Sequence, residues 1–450
     1  MKETLERKLG LFPLTNIVIA NMIGAGIFTT SGLLMGDLGN PLIMIALWIT
    51  GGIIALCGAL SYGELGAAIP HAGGEYIFLS KLYSPVFGFM SGWVSFIVGF
   101  SAPIAASAIG FSEYFFRAFP QILEWGNTIG ISNPAVFKKS FSALVIITFT
   151  LVHIRGIEFG ALVQNYLTVL KVALIVGLIA FGFFFGRGDL GHFSQGNTFT
   201  FDFGGWKTIG LSLMWIMFAY AGWNASTYIG SEVKNPTRNL PRSLLLGTGI
   251  VLILYFFINV FYVYAVDPES MKGVISIGGL AAGNMFGRSI ENIFSLFIAF
   301  ALFSSLSAYI ILGPRVYYSM AKDGYFFKFV SEVHPKYKVP VKAIVLQSAI
   351  SLIMLLMGTF DQILTYMGFS LGIFPILAVA GVFKLRFTKS SKFLMPGFPF
   401  VPAVYILTGV IILFLAFFER PVESSIAILT ALAGIPAFYI FKKFYSQSAE

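Results

Sequence analysis

Charged residues are scarce in this sequence. They make up 11% of the 450 residues, whereas hydrophobic residues make up 57%. A soluble protein carries charge on about a quarter of its residues, because its surface faces water. The composition therefore excludes an ordinary soluble protein. It predicts a multi-pass membrane protein, since each crossing needs only about 20 mostly apolar residues.

Cysteine and metal-binding patterns are nearly absent as well. The single cysteine, Cys57, lies inside an apolar run, so it cannot form an intrachain disulfide and is expected to be structural. The sequence has neither a nucleophile–base pair nor a phosphate-binding glycine loop in a suitable context. Its histidines are scattered, at His71, His153, His192 and His334. We therefore expect no metal, no cofactor, no enzymatic activity and no ATP-driven pumping.

Apolar stretches bounded by proline, glycine or charge are abundant. The first follows "MKETLERKLG" directly, without the cleavage site of a signal peptide. Together they predict an all-α integral membrane protein with twelve transmembrane helices, near residues 11–36, 41–69, 85–112, 137–154, 159–185, 207–231, 243–266, 290–320, 342–358, 361–383, 400–418 and 424–441.

Lysine and arginine are unevenly placed around these spans. Of the 29 basic residues, 20 lie in the termini and in the alternate loops on the same side. Positively charged loops face the cytoplasm, so residues 1–10 and 442–450 are expected to be cytoplasmic in a protein of the cell membrane. The net charge of +9 then reflects topology, and no nucleic-acid partner is expected.

Residues 69–85 are too broken for a span and predict an interfacial or re-entrant helix on the cytoplasmic side. Glu64 and Glu75 flank this segment. They could pair with Arg238 or Arg242 in a cytoplasmic gate, or they could be solvated at the interface.

Two spans are interrupted at their midpoints. In "NIVIANMIGAGIFTTSGLL", residues 16–34, the centre is Gly24-Ala25-Gly26, although a glycine costs a helix about 0.8–1 kcal/mol relative to alanine. The sixth span, "SLMWIMFAYAGWNASTYIGSEV", is interrupted around Tyr220 to Gly222. These spans occupy corresponding positions in two successive five-helix units, which indicates the binding site of a transporter. Close helix packing at glycine is the alternative.

An interrupted helix exposes backbone groups that can bind a polar solute at mid-membrane. The half-helix that starts near Ile27 offers N–H groups and a positive dipole end to a carboxylate. The half-helices that end near Ile23 and Ala219 offer carbonyl groups to an ammonium. A zwitterionic amino acid matches both.

A lysine, Lys171, lies near the middle of the fifth span. It is about 16 and 22 Å from the ends at Gly160 and Gly186, too far for its side chain to reach the interface. An ionisable group at this depth is a candidate functional residue. A structural lysine bonded to carbonyl groups is the alternative.

Five segments in order resemble the amino acid–polyamine–organocation transporter superfamily, and in particular its L-type amino acid transporter branch. They are "IGAGIF" (23–28), "ELGAAIPHAGGEYIFLS" (64–80), "FAYAGWNAS" with "EVKNPTRNLPRS" (218–226 and 232–243), "GPRVYYSMAKDG" (313–324) and "HPKYKVP" (334–340).

This resemblance implies the leucine-transporter fold, with two inverted five-helix repeats, residues 11–185 and 206–383, followed by helices 11 and 12 at 400–441. The first helix would be broken at 23–27 and the sixth at 218–224. The resemblance further implies that substrate is bound by Ile23, Gly24, Ala25, Gly26, Ile27, Phe218, Ala219, Ala221, Gly222 and Asn224. Phe218 matches the aromatic gate of the family, and Asn224 matches a polar pocket residue of the L-type branch.

The resemblance also implies a role for Lys171, because a lysine on this face of helix five fills the place of a sodium ion in the superfamily. Its ammonium would bond to carbonyl groups of helix one and to hydroxyl groups of helix eight, for which Ser304, Ser305 and Ser307 are candidates. It could also carry a coupled proton, because a buried amine is easier to accommodate when neutral. Tyr255 resembles a family position near the site, with packing as the alternative.

Members of the L-type branch that pair with a glycoprotein subunit use a cysteine between helices three and four. Residues 113–138 contain none, so we expect no disulfide-linked heavy subunit. The prediction is a sodium-independent transporter of neutral amino acids that works by alternating access, with exchange expected. A proton-coupled amino acid or polyamine importer of the same fold is the first alternative, and a channel or an amino acid sensor is the second.

Overall fold

The computed structural model describes residue 7 and residues 9–71, 73–128, 130–155, 158–334, 337, 339–391 and 393–447. Within these ranges the chain forms eighteen α-helices. The first nine are α1 (Leu11–Met22), α2 (Ala25–Leu38), α3 (Pro41–Ala68), α4 (Glu75–Leu82), α5 (Pro85–Val94), α6 (Ser101–Ala118), α7 (Trp125–Thr128), α8 (Pro134–His153) and α9 (Glu158–Phe185).

The second nine are α10 (Phe203–Ala219), α11 (Pro236–Ala265), α12 (Pro268–Met271), α13 (Ile277–Phe286), α14 (Arg288–Lys322), α15 (Val341–Met357), α16 (Phe360–Phe387), α17 (Phe400–Glu419) and α18 (Pro421–Gln447). A π-helical turn, Ser95–Gly99, joins α5 to α6. Short 3-10 helices cover Pro120–Glu124, Leu190–Ser194, Ala225–Tyr228, Gly230–Glu232 and Lys328–Ser331. The described ranges also contain an isolated parallel β-bridge, which pairs Leu9 with Val233.

Ten helices are long and apolar enough to cross a membrane, counting α1 with α2, and α5 with α6, as one each. The structure is therefore that of an all-helical integral membrane protein. The other two predicted spans correspond to α10 and α15, of 17 residues each. Both are shorter than the roughly 20 residues of a full crossing, so the count of twelve stays a prediction.

Large apolar side chains cover the outside of the bundle as well as its interior. Phe184 is 82% exposed and Phe12 is 83% exposed, whereas Trp48 and Trp215 are buried. This distribution suits a protein whose outer surface contacts lipid. Inside, α3 packs along α11 and α6 packs along α14, while α1 lies against α11 and α2 lies against α10. The broken first helix is therefore central.

At two places in particular, the structure has helix where the sequence predicted none. Helix α11 begins at Pro236, ahead of the predicted start at 243, because proline is well suited to the first turn of a helix. Helix α13 falls in a region predicted as a loop. It has only ten residues and contains three glycines in "IGGLAAGNMF", so hydropathy alone gave no span there.

Candidate functional site

The first helix is interrupted where the glycines predict it. Helix α1 ends at Met22, and α2 begins at Ala25 after Gly24, which has an extended backbone conformation (φ −125°, ψ −155°). In the part of the chain that the structure describes, no side chain caps the start of α2. Since the first N–H groups of a helix have no acceptor within it, this end of α2 presents unpaired donors at the centre of the bundle.

The sixth helix is interrupted at the matching position. Helix α10 ends at Ala219, and Gly222 follows with φ 104°. The chain then continues as two 3-10 turns and no α-helix resumes before Pro236. The second half of this predicted span is therefore irregular backbone, which is tolerated at membrane depth only where it is enclosed by protein or lines a cavity.

The two interruptions touch each other. A Cβ placed on Gly26 would lie 2.4 Å from the Ala219 Cα, so only a glycine permits this approach of α2 to α10. The Tyr255 hydroxyl joins the same two elements, at 2.6 Å from the Met22 carbonyl oxygen and 3.1 Å from the Ala219 carbonyl oxygen. Tyr255 is fully buried and thus lies at the junction of the breaks.

A cavity of about 770 Å³ lies beside these breaks. Of the predicted substrate-binding residues, it is lined by Phe218, Ala221, Gly222 and Asn224. The structure does not bring Ile23, Gly24, Ala25, Gly26, Ile27 or Ala219 into its wall; these residues are buried where the two breaks meet. The part of the first helix that lines the cavity lies one to two turns before the break, at Asn16, Ile17, Ala20 and Asn21.

The cavity reaches one end of the bundle and is closed at the other. Its wall includes Leu9, before α1, and the exposed Ser319, near the end of α14. No residue of α2 lines the cavity, and α2 is packed against other elements: the Gly273 amide donates to the Gly32 carbonyl at 2.8 Å. The Tyr114 hydroxyl also donates to the Phe28 carbonyl at 2.5 Å. Access is therefore from the end that carries the N-terminal segment.

Lys171 is fully buried and contacts the first interruption. Its Nζ donates to the Ile23 carbonyl and to the Ser305 hydroxyl, at 2.9 Å each. Among the described residues it forms no ion pair with a carboxylate. Of the other two candidate serines, Ser307 lies 3.0 Å from His153 Nε2 instead, and the side chain of Ser304 lies outside the described part of the structure.

A buried carboxylate that sequence reasoning did not assign to the site also lines the cavity. Glu75, the first residue of α4, is 6% exposed. It accepts hydrogen bonds from Tyr62 (2.9 Å), from the Asn224 amide (2.5 Å) and from Tyr228. The signal that could have identified it is an acidic residue directly before the apolar "YIFL", where lipid or protein must surround it.

The predicted pairing of Glu64 and Glu75 with Arg238 or Arg242 is wrong. Glu64 instead forms a bidentate pair with Arg386, at 2.6 and 2.7 Å, and neither predicted arginine is among the partners of Glu75 in the described ranges. The folded chain instead brings the end of α16 against the end of α3.

The profile of the amino acid permease family matches residues 9–438 of this chain, nearly its whole length. The chain belongs to the amino acid permease family. The resemblance to amino acid–polyamine–organocation transporters is thereby confirmed. Permeases are transporters and not enzymes, and together with the ten apolar helices this makes the chain a multi-pass membrane protein that transports amino acids.

Individual relatives of this permease are transporters too. The chain is 30% identical over 448 residues to the serine/threonine exchanger SteT of Bacillus subtilis, with 98% of both chains covered. It is 27% identical to the human cystine/glutamate transporter, covering 98% of this chain and 86% of the relative. It is 25% identical to the mouse Asc-type amino acid transporter 1, covering 97% and 81%.

Proposed function

We propose that this permease exchanges neutral amino acids across the cell membrane without sodium. The observation that carries the proposal is the Lys171 ammonium, which is bonded to the Ile23 carbonyl of the broken first helix and to Ser305 of α14. A positive charge that belongs to the protein occupies the place where a bound cation would bridge these elements. Transport that needs no sodium follows, because the lysine itself supplies this charge.

The substrate is held by its α-amino and α-carboxyl groups at the two breaks. The N–H groups at the start of α2 suit a carboxylate, and the carbonyl groups at the ends of α1 and α10 suit an ammonium. In the described structure the breaks are in contact and the cavity lies beside them. Binding therefore requires Gly26 and Ala219 to separate, with Phe218 in the wall between the cavity and the breaks.

Alternating access explains why the cavity opens at one end only. With the N-terminus cytoplasmic, as the distribution of lysine and arginine predicts, the described conformation faces the cytoplasm. Its closed end is held by the contacts of Gly32 and Phe28 and by the ion pair of Arg117 with Glu291 at 2.7 Å. We further propose that the chain crosses the membrane twelve times in two inverted repeats and that it works without a disulfide-linked partner subunit.

Exchange of neutral substrates agrees with the function of one relative, the serine/threonine exchanger, because serine and threonine are neutral amino acids. A proton-coupled importer is the second candidate. One observation favours it: Lys171 is buried without a carboxylate partner among the described residues, so a neutral amine is accommodated there more easily than a charged one.

The experiment uses the purified protein in sodium-free liposomes. Uptake of labelled threonine is followed with and without unlabelled threonine inside, at two external pH values. Dependence on internal substrate supports exchange. Uptake into empty vesicles that rises with an inward proton gradient supports the proton-coupled alternative, and a strict requirement for added sodium contradicts the proposal.

The role of Lys171 is tested with Lys171→Ala. We expect sodium-free uptake to fall by at least about tenfold, because removing one partner leaves a buried carbonyl unpaired at a cost of about 1–3 kcal/mol. Ser305→Ala should have a smaller effect in the same direction. Ser307→Ala is the matched control, since its hydroxyl contacts His153 and not Lys171. Unchanged uptake and pH dependence in Lys171→Ala would remove Lys171 from the mechanism.

A further inference from the structure

The Glu75 carboxylate differs from other acidic residues of the described chain because it is buried in the cavity wall. It lies at the start of α4, and its neighbours belong to α3 and to the irregular segment after α10. All three hydrogen-bond partners, Tyr62, Tyr228 and Asn224, can act as donors toward it. Within the described ranges no lysine or arginine pairs with it.

The Asn224 amide turns its NH₂ group toward Glu75, and its Nδ2 donates to the Glu75 Oε1 at 2.5 Å. The same oxygen accepts from the Tyr62 hydroxyl at 2.9 Å, so it acts as an acceptor toward both groups. This orientation directs the Asn224 carbonyl oxygen, Oδ1, away from Glu75. No donor in the described part of the chain lies within hydrogen-bond distance of this oxygen, and Asn224 lines the cavity.

The backbone of Asn224 is fixed independently of its side chain. Its carbonyl oxygen accepts from the Thr227 amide at 3.0 Å and from the Thr227 hydroxyl at 2.7 Å. The side chain therefore projects from an anchored turn. Glu75, and not motion of the local backbone, therefore determines whether this side chain presents its oxygen or its NH₂ group to the cavity.

We propose that Glu75 is a positioning residue that makes Asn224 a hydrogen-bond acceptor for the substrate side chain. The site then selects amino acids whose side chain carries a neutral hydroxyl or amide donor, and it disfavours side chains with a second carboxylate. The hydrogen bond from Asn224 to Glu75 strengthens this preference, because hydrogen bonds in a chain polarise one another. The inference rests on the proposed function, since it concerns the substrate of the same site.

Threonine and valine provide the sharpest comparison, because they have nearly the same shape and threonine has a hydroxyl group where valine has a methyl group. A neutral hydrogen bond to Asn224 should make uptake of threonine about 2- to 10-fold more efficient than uptake of valine. Glu75→Gln keeps the size of the side chain but introduces a donor, so both orientations of the Asn224 amide become possible. We expect the ratio of threonine to valine to fall toward one, while valine uptake is retained.

Tyr62→Phe is the matched control, because it removes another donor to Glu75 and leaves the hydrogen bond between Glu75 and Asn224 in place. The ratio should persist in this variant. Asn224→Ala should lose the ratio as Glu75→Gln does, and the double variant should resemble either single variant. If Glu75→Gln does not transport, threonine and valine binding to the purified variant in detergent gives the same ratio.

An equal efficiency for threonine and valine in the unmodified protein overturns the proposal, and so does a ratio that survives in Glu75→Gln or in Asn224→Ala. These outcomes differ from failure of the proposed function, in which the protein takes up no neutral amino acid at all. The comparison of the two substrates thereby separates selectivity from transport.

Discussion

The contact between the two helix breaks is tested by adding one methyl group, in Gly26→Ala. The new Cβ would lie 2.4 Å from the Ala219 Cα and 2.6 Å from its Cβ. Carbon atoms in contact are about 3.5–4.0 Å apart, so α2 and α10 must separate by about 1 Å. The obstructing atom belongs to the backbone and cannot rotate away as the end of a flexible side chain could.

Inserting a methyl group into a tightly packed interior costs about 1–3 kcal/mol. That range corresponds to about 5- to 150-fold in the population of the conformation in which the breaks touch. Each cycle of alternating access passes through this conformation before substrate separates the breaks, so we expect Gly26→Ala to lower the initial rate of threonine exchange in liposomes by a factor in this range. The thermal stability of the detergent-solubilised protein should fall as well.

The matched control is Gly36→Ala in the same helix. The nearest atom to its added Cβ is the Gly273 amide nitrogen at 3.4 Å, an ordinary contact that needs little movement. This variant should retain most of the exchange rate. Full exchange by Gly26→Ala, together with unchanged thermal stability, would refute the argument that the two breaks are in direct contact.

Two further predictions concern contacts that stabilise the described conformation. Arg386→Gln leaves the fully buried Glu64 without its bidentate partner, so it should destabilise the protein by about 3–5 kcal/mol; thermal denaturation checks this, and an unchanged midpoint would contradict it. Tyr255→Phe keeps the ring but removes the hydroxyl that bonds to Met22 and Ala219. The exchange rate should fall by about fivefold or more, because a buried carbonyl loses its donor at a cost of about 1–3 kcal/mol; a wild-type rate would show that these carbonyls do not depend on Tyr255.

Features that depend on composition along the chain were predictable from the sequence. Long apolar runs predict membrane-spanning helices, and the glycines at Gly24 and Gly26 predict where the first is interrupted. The isolation of Lys171 among apolar residues likewise identifies it as a candidate functional residue. Each of these signals is local, because hydropathy and helix propensity act over one or two turns.

The sequence predicted the hydrogen-bond partners of individual polar groups only in part. The resemblance to a family suggested three serines for Lys171, and the structure brings Ser305 to it while Ser307 contacts His153. Nothing in the spacing of "SSLS" distinguishes these residues, because the choice is made by the rotation of α14 against α8 and α9.

The sequence by itself determined that this chain is an all-helical membrane protein, where its first and sixth helices break, and that a lysine lies at its centre. Only the tertiary structure decided that Glu64 pairs with Arg386, that Glu75 holds Asn224, and that Asn21 and not Gly24 lines the cavity. The physical reason is that a helix break follows from the energy of a few consecutive residues. A hydrogen-bond partner follows from how helices distant in sequence pack, and a shift of one turn replaces every side chain in the contact.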